Sequence, residues 1–282
     1  MKANKIEFNK SETEINSNII EILSQPIGDK EIETKLKVIY SCIDNTTLEG
    51  SDTTEKIKDI CNNSLLHCNL DKGINRVAAV CVYPTFVSKA KEFLKGSDIK
   101  VASVAGGFPS GQLPLELRVN EVKYAIDNGA DEIDTVISRG LLLEGRYDEV
   151  YEELITIREA CKGVELKVIL ETGELQTPTN IYIASKLAIE AGADFIKTST
   201  GKISVGATET AAYVMLTAIK EAEEKLGKKI GFKAAGGISD KNKALAFLML
   251  TEYFLGKNSV DNNRFRIGAS RLTKVLYEQL TA

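Results

Sequence analysis

One histidine, His67, stands among the 282 residues. A Ser-His-Asp triad needs histidine as its base, and most transition-metal centres need more than one, so both classes of chemistry are set aside. His67 follows Leu65 and Leu66, which reads as the end of a helix. The cysteines, Cys42, Cys61, Cys68, Cys81 and Cys161, are odd in number, irregularly spaced and without a Cys-x-x-Cys pair. They read as reduced thiols of a cytoplasmic protein, most of them small core residues. No apolar run approaches the roughly 18 residues of a membrane span. The opening Met1-Lys2-Ala3-Asn4-Lys5 is basic, but no apolar segment follows it, so no signal peptide is expected. Basic residues are not in excess. Net charge is -4 and pI about 5.4, which argues against a nucleic-acid or anionic-membrane partner. Chemistry is left to Lys, Asp, Glu, Tyr, Ser and Cys.

The 43% apolar and 27% charged content is that of a soluble globular chain. Residues 1–35 read as an N-terminal helical extension. Ser11 and Glu14 form a capping box, Ile15, Ile19, Ile22 and Leu23 recur at helical spacing, and Pro26 and Gly28 end the run. From 36 to 282 the pattern is regular. Apolar runs at 38–43, 77–82, 101–105, 133–137, 166–170, 195–197, 231–234 and 265–267 read as buried strands, each followed by a helix. Thr177-Pro178 marks one helix start, and Pro84 sits in the first turn of another. Eight such units of roughly 31 residues fit a (β/α)8 TIM barrel. A doubly wound open sheet is the alternative, but no G-x-G-x-x-G follows the first strand.

The most informative stretch is Phe195-Ile196-Lys197-Thr198-Ser199-Thr200-Gly201-Lys202. A buried strand ends in a lysine, and a hydroxyl-rich turn follows. Burial disfavours the charged amine and lowers its pKa. The turn, with its backbone N–H groups and Lys202, suits a phosphate. Together they point to carbonyl chemistry on a phosphorylated substrate. Taken alone, the stretch fits equally well a lysine that snorkels to solvent. Gly129-Ala130-Asp131-Glu132-Ile133-Asp134 echoes Gly192-Ala193-Asp194-Phe195-Ile196-Lys197, so Asp134 and Lys197 are expected to face inward at a similar height. The other expected inward charges are Asp44, Lys167 and Lys233. Any one of them reads as an internal ion pair. Five at the C-terminal ends of barrel strands mark the reactive face.

Three lysines against two aspartates leave a positive balance, which depresses a lysine pKa further. A lysine at about 10.4 is neutral in roughly one molecule in 2,500 at pH 7. A fall of about three gains about a thousandfold in free amine, or roughly 4 kcal/mol. Lys233 is the expected source of much of that fall. Gly201-Lys202, Gly236-Gly237 and Gly268-Ala269-Ser270-Arg271 follow the last three strands, where barrels commonly hold phosphate. Cys81 reads as core, and Tyr83-Pro84 as structural. Glu171 and Glu174 are either acid/base groups or loop charges.

These motifs resemble those of the deoxyribose-phosphate aldolases, class I aldolases on a (β/α)8 barrel. The resemblance rests on Asp44-Asn45-Thr46-Thr47-Leu48, Ala79-Val80-Cys81-Val82-Tyr83-Pro84, Gly129 to Asp134, Lys167 to Leu175, Asp194 to Lys202, Gly231 to Gly237 and Arg266 to Ser270, in that order. It implies reversible cleavage of 2-deoxy-D-ribose 5-phosphate to acetaldehyde and D-glyceraldehyde 3-phosphate. Lys197 would form the Schiff base and Lys233 lower its pKa. Asp134 would relay protons with Lys233, and Asp44 and Lys167 would complete the polar network. Gly201, Lys202, Gly236, Gly237, Ser239, Ser270 and Arg271 would surround the phosphate. No cofactor or metal is implied, and the expected assembly is a homo-oligomer, dimer or tetramer. Family members carry arginine near Ser239 and often two serines where this chain has Ser270-Arg271, so Arg271 is expected to supply the charge. Some members also end in a tyrosine tail, which the closing Tyr277 to Ala282 does not match. Another Schiff-base aldolase or transaldolase on a longer sugar phosphate, and a non-catalytic sugar-phosphate-binding barrel, are the competing readings.

Overall fold

The computed structural model describes residues 8–282, so the basic stretch Met1 to Lys5 lies outside the described residues. The first element among the described residues is α1 (Glu12–Leu23), whose expected capping box is present: Glu14 N–H donates to Ser11 Oγ, and Glu14 accepts from the Ser11 N–H. Ile15, Ile19 and Ile22 form its buried face. The second helix, α2 (Asp29–Ser41), is a correction. Residues 38–43 were expected to be the first strand, yet 38–41 complete this helix and β1 runs Ile43–Thr46. Val38, Ile39 and Tyr40 read as a strand because they are β-branched or aromatic. The burial of Leu36, Ile39 and Tyr40 follows helical spacing instead. The expected boundary at 35/36 falls inside α2, which packs on the outer helices of the barrel.

Eight units follow. β1 leads to α3 (Thr54–Leu66), capped by Thr53 and ended by His67. β2 (Ala79–Val82) and α4 (Val87–Phe93) are joined by a 3-10 turn that starts at Pro84. β3 (Lys100–Ala105) and α5 (Leu115–Asp127) come next. β4 (Glu132–Val136) is followed by a short α6 (Arg139–Leu143) and by α7 (Tyr147–Ala160). β5 (Glu165–Ile169) leads to α8 (Pro178–Glu190), capped by Thr177. β6 (Phe195–Lys197) leads to α9 (Glu209–Leu226), and β7 (Gly231–Ala235) to α10 (Lys241–Leu255). β8 (Phe265–Ala269) and α11 (Leu272–Thr281) complete the chain.

All strands pair in parallel in sequence order, and β8 closes on β1 with Ile267 opposite Ile43. The open sheet is thereby excluded, and the fold is a (β/α)8 barrel. Outward strand residues and the helices share one apolar core. The interior is divided. On the β2–β3 side Ala79, Cys81, Ala102 and Val104 form a small apolar cluster with Leu48. On the opposite side β4 to β8 and β1 turn charged side chains inward. Among the described residues, no helix is long and apolar enough to cross a membrane.

Candidate active site

Strand geometry explains how the charged groups meet. Successive strand residues alternate faces, so Glu132 and Asp134 of β4 both point inward. Register sets Asp134 beside Lys167 and Lys197 beside Lys233. Asp134 is the hub. Its Oδ2 accepts from Lys197 Nζ and from Lys233 Nζ, each at 2.7 Å, and its Oδ1 accepts from Lys167 Nζ at 3.2 Å. Lys233 also donates to Asp44, and Lys167 to Glu132. Asp44, Glu132, Asp134, Lys167 and Lys233 are shut off from water, and only Lys197 keeps 3% of its surface. The layer expected to hold Asp134 and Lys197 together therefore exists.

The surroundings drive the two amines apart in pKa. Burial lowers Lys197, Asp134 opposes it, and Lys233 lowers it again, so the net shift is downward. Burial also lowers Lys233, but Asp134 and Asp44 outweigh it, and the net shift is upward. Burial lowers Lys167 as well, and Asp134 and Glu132 outweigh it in the same way. Burial works to raise the Asp134 carboxyl, yet Lys167, Lys197 and Lys233 hold it well below its usual range. Burial, ahead of Lys233, is thus the main reason that Lys197 is depressed, a change of emphasis from the sequence reading.

The sequence reading missed two further members of the cluster. Arg266 of β8 donates to Asp44 Oδ1 at 2.6 Å and to Glu132 Oε1 at 2.8 Å, and its guanidinium lies over the Phe195 ring. Arg266 and Glu132 lie one inward step below Gly268 and Asp134, toward the barrel floor. Period-two spacing from Asp134 was the available signal for Glu132. Gly268 keeps room open: a Cβ there would stand 3.3 Å from Lys233 Cε. Cys81, also inside the barrel, has its thiol pushed up to about 11 by burial, with Asp134 adding to the rise, which fits a core residue.

Lys197 opens into a cavity of about 300 Å³. Gly201, Lys202, Gly236, Gly237, Ser239, Ser270 and Arg271 all line it. The backbone forms much of its wall. Gly236 and Gly237 have φ of +87° and +71°, and a Cβ on Gly236 would come within 2.9 Å of Gly206 Cα, so the loops after β6 and β7 touch main chain to main chain. Among the described residues, the N–H groups of Gly201, Gly236, Gly237 and Ser270 have no hydrogen-bond partner. Helix α11 lacks a side-chain cap, whereas α8, α9 and α10 have Thr177, Thr208 and Asp240. Its unpaired N–H groups favour negative charge. Lys202 Nζ pairs with Glu49 at 2.9 Å, while Arg271 is exposed and makes no ion pair with another described residue. Lys243, in the first turn of α10, donates to Gly237 O at 2.9 Å and adds a cation that the sequence reading did not single out. Glu174 pairs with Arg139 at 2.7 Å near the surface, while Glu171 is turned inward.

A dry barrel mouth that holds one low-titrating amine against a high-titrating one, open to an amide-lined anion pocket, is the site of a class I, imine-forming aldolase. Comparison with known proteins agrees. The DeoC/LacD family aldolase pattern matches residues 38–249. The chain is 48% identical over 249 residues to the deoxyribose-phosphate aldolase of Homo sapiens, covering 84% of this chain and 78% of that one. It is 47% identical over 251 residues to the enzyme of Bos taurus, covering 85% and 79%. The tetrameric deoxyribose phosphate aldolase of Aeropyrum pernix superimposes with a TM-score of 0.68 at 24% identity, over 97% of this chain and 99% of that one, and shows the shared fold. The chain belongs to the DeoC/LacD aldolase family and is a carbon–carbon lyase.

Proposed function

We propose that the protein reversibly cleaves 2-deoxy-D-ribose 5-phosphate to acetaldehyde and D-glyceraldehyde 3-phosphate, with Lys197 as the imine-forming residue. The observation that carries this reading is the sharing of one Asp134 oxygen by Lys197 and Lys233, with Lys197 alone opening into the cavity.

The chemistry follows. Neutral Lys197 adds to the aldehyde carbon of the open-chain sugar, and loss of water leaves a protonated imine. A base removes the proton of the C3 hydroxyl. The C2–C3 bond then breaks, C3 becomes the aldehyde of the departing three-carbon phosphate, and the electron pair moves toward the iminium as an enamine. Protonation at C2 and hydrolysis release acetaldehyde and regenerate the amine. The iminium is the electron sink, so the step needs no metal. Asp134, bonded to the Lys197 amine, and Lys233, which shares the same Asp134 oxygen, exchange protons with that amine, working with water. Lys167 and Asp44 keep that pair in place. The unpartnered N–H groups of Gly201, Gly236, Gly237 and Ser270, with Lys202, Ser239 and Arg271, receive the phosphate. Its three-carbon reach from the reacting centre suits a pocket that opens at Lys197.

The family relationship and the unpaired cysteines support a cytoplasmic enzyme, and the tetrameric Aeropyrum pernix relative supports a homo-oligomer. The N-terminal helices serve as an accessory layer on the barrel. The deciding experiment is borohydride trapping with acetaldehyde. A two-carbon adduct should map to Lys197 and vanish in Lys197→Ala. An adduct on Lys233 would reverse the assignment. Activity should survive EDTA, because the imine supplies the electrophile.

A further inference from the structure

Glu171 lies just beyond β5, outside the cavity wall, and the proposed chemistry leaves it without a role. Its backbone nevertheless adopts φ +56°, a left-handed conformation unusual for a residue with a Cβ. Its side chain is 1% exposed. Both carboxylate oxygens face one residue of the next loop. Oε1 accepts the Thr200 N–H at 3.2 Å, and Oε2 accepts the Thr200 hydroxyl at 2.5 Å. Arg139 Nη1 stands 3.6 Å from Oε2 and offsets the buried charge. The neighbouring Thr172 N–H reaches Thr198 O at 2.9 Å, so the β5 and β6 loops are joined along their length.

The consequence runs one residue further. A carboxylate only accepts, so the Thr200 proton is committed to Glu171. The Thr200 oxygen is left to accept the Lys202 N–H, at 3.0 Å. Between them Gly201 turns at φ +78°, its own N–H unpartnered among the described residues. A chain of acceptors thus defines the Thr200-Gly201-Lys202 turn, and the free donor it leaves is on the cavity wall.

We propose that Glu171 is a positioning residue: from beneath the β6 loop it sets the Gly201 N–H and the Lys202 side chain for the anionic end of the substrate. The inference rests on the sugar-phosphate reading above. Its strained backbone is what lets a side chain leaving β5 reach under the neighbouring loop. Because Glu171 stays out of the cavity, it acts through Thr200 and not on the reacting carbons.

The test compares Glu171→Gln with the unaltered enzyme on 2-deoxyribose 5-phosphate and on unphosphorylated 2-deoxyribose. The substitution keeps the shape but replaces one acceptor by a donor that competes with the Lys202 N–H. KM for the phosphate ester should rise about tenfold, with kcat, the pH limbs and cleavage of free deoxyribose changed by less than about threefold. Lys202→Ala should cost less when combined with Glu171→Gln than alone, since the turn is already displaced. Thr200→Val removes the other end of the contact and should give the same KM pattern, which covers the case in which the Glu171→Gln variant does not fold. Equal losses on both substrates, or a vanished pH limb, would overturn the proposal in favour of a structural or an acid/base role. Thermal stabilisation by inorganic phosphate separates this inference from the functional reading. An enzyme that cleaves neither sugar, yet is stabilised by phosphate only when Glu171 is intact, would remove the proposed reaction and keep the positioning role. Equal stabilisation of both forms would remove the role.

Discussion

Lys197 and Lys233 donate to the same oxygen, Asp134 Oδ2, at the same 2.7 Å, yet their amines shift in opposite directions. The difference lies in what else each one touches. Lys233 has a second carboxylate, Asp44, while Lys197 faces the cavity and has none. Replacing Lys233 by Met removes a cation near Lys197 and leaves Asp134 Oδ2 to it, so both changes raise the Lys197 pKa. Imine trapping increases as pH rises through that pKa. Its limb should therefore move to higher pH, and the trapping rate at pH 7 should fall by up to about tenfold for each pH unit moved. An unmoved limb would leave burial as the sole cause of the low value.

Asp134→Asn separates charge from proton transfer. Asp134 works against the depression of Lys197, so its loss should leave that amine more often neutral. Should Asp134 also move protons, turnover is expected to fall by about 10²–10⁴ while acetaldehyde can still be trapped on Lys197. Parallel loss of trapping and turnover would reduce Asp134 to a structural anchor. The variant also leaves buried ammonium groups with less compensation, and urea unfolding should register a cost of about 3–5 kcal/mol.

Acid should weaken the fold over a defined window. The Asp44, Glu132 and Asp134 carboxyls are held below their ordinary values of 3.8, 4.5 and 3.8; in each, burial opposes the fall and the neighbouring cations outweigh it. Above those values the carboxylates are charged in folded and unfolded chains alike, and their contribution is complete. As pH falls below about 4.5 the unfolded chain takes up protons first, and stability is lost progressively toward the lower folded pKa values. Glu165, raised by burial and by Glu132, acts in the opposite sense, one group against three. The urea midpoint should be nearly level from pH 7 to 5 and drop steeply below about 4.5. A level profile down to pH 3 would contradict the paired-carboxylate account.

Arg271→Ala tests the anion end of the pocket. Arg271 lines the cavity and has no ion-pair partner among the described residues, so its removal breaks nothing in the unliganded protein. KM for the phosphorylated sugar should rise about tenfold, the scale of one charged hydrogen bond, with cleavage of free deoxyribose nearly unchanged. Similar losses on both substrates would deny Arg271 the phosphate role, and Lys243 beside Gly237 would then be the next cation to replace.

The strands that carry Asp134, Lys167, Lys197 and Lys233 were legible because each is a short apolar run between helical patterns, and the Gly-Ala-Asp echo placed two of them at one height. Strand one was not legible. Val38 to Tyr40 carry residues that favour strands, but the contacts of their helix with α10 and α11 hold them in it. Glu132 and Arg266 went unnoticed, and Glu171 stayed ambiguous, for a related reason. A charged residue in a strand or loop looks the same in one dimension whether it meets water or a partner. Glu132 and Arg266 acquire meaning from each other, across 134 positions of chain, and from Lys167 and Asp44 beside them.

Local pattern, then, settled the number and order of strand–helix units and which lysine ends the sixth strand, because hydrophobic periodicity and turn residues act between near neighbours. Barrel closure alone decided that two amines share a single carboxylate oxygen, that one rises while the other falls, and that a strained glutamate holds the adjoining loop. Those outcomes depend on distances between residues far apart in the chain and on exclusion of water, and neither exists until the eighth strand meets the first.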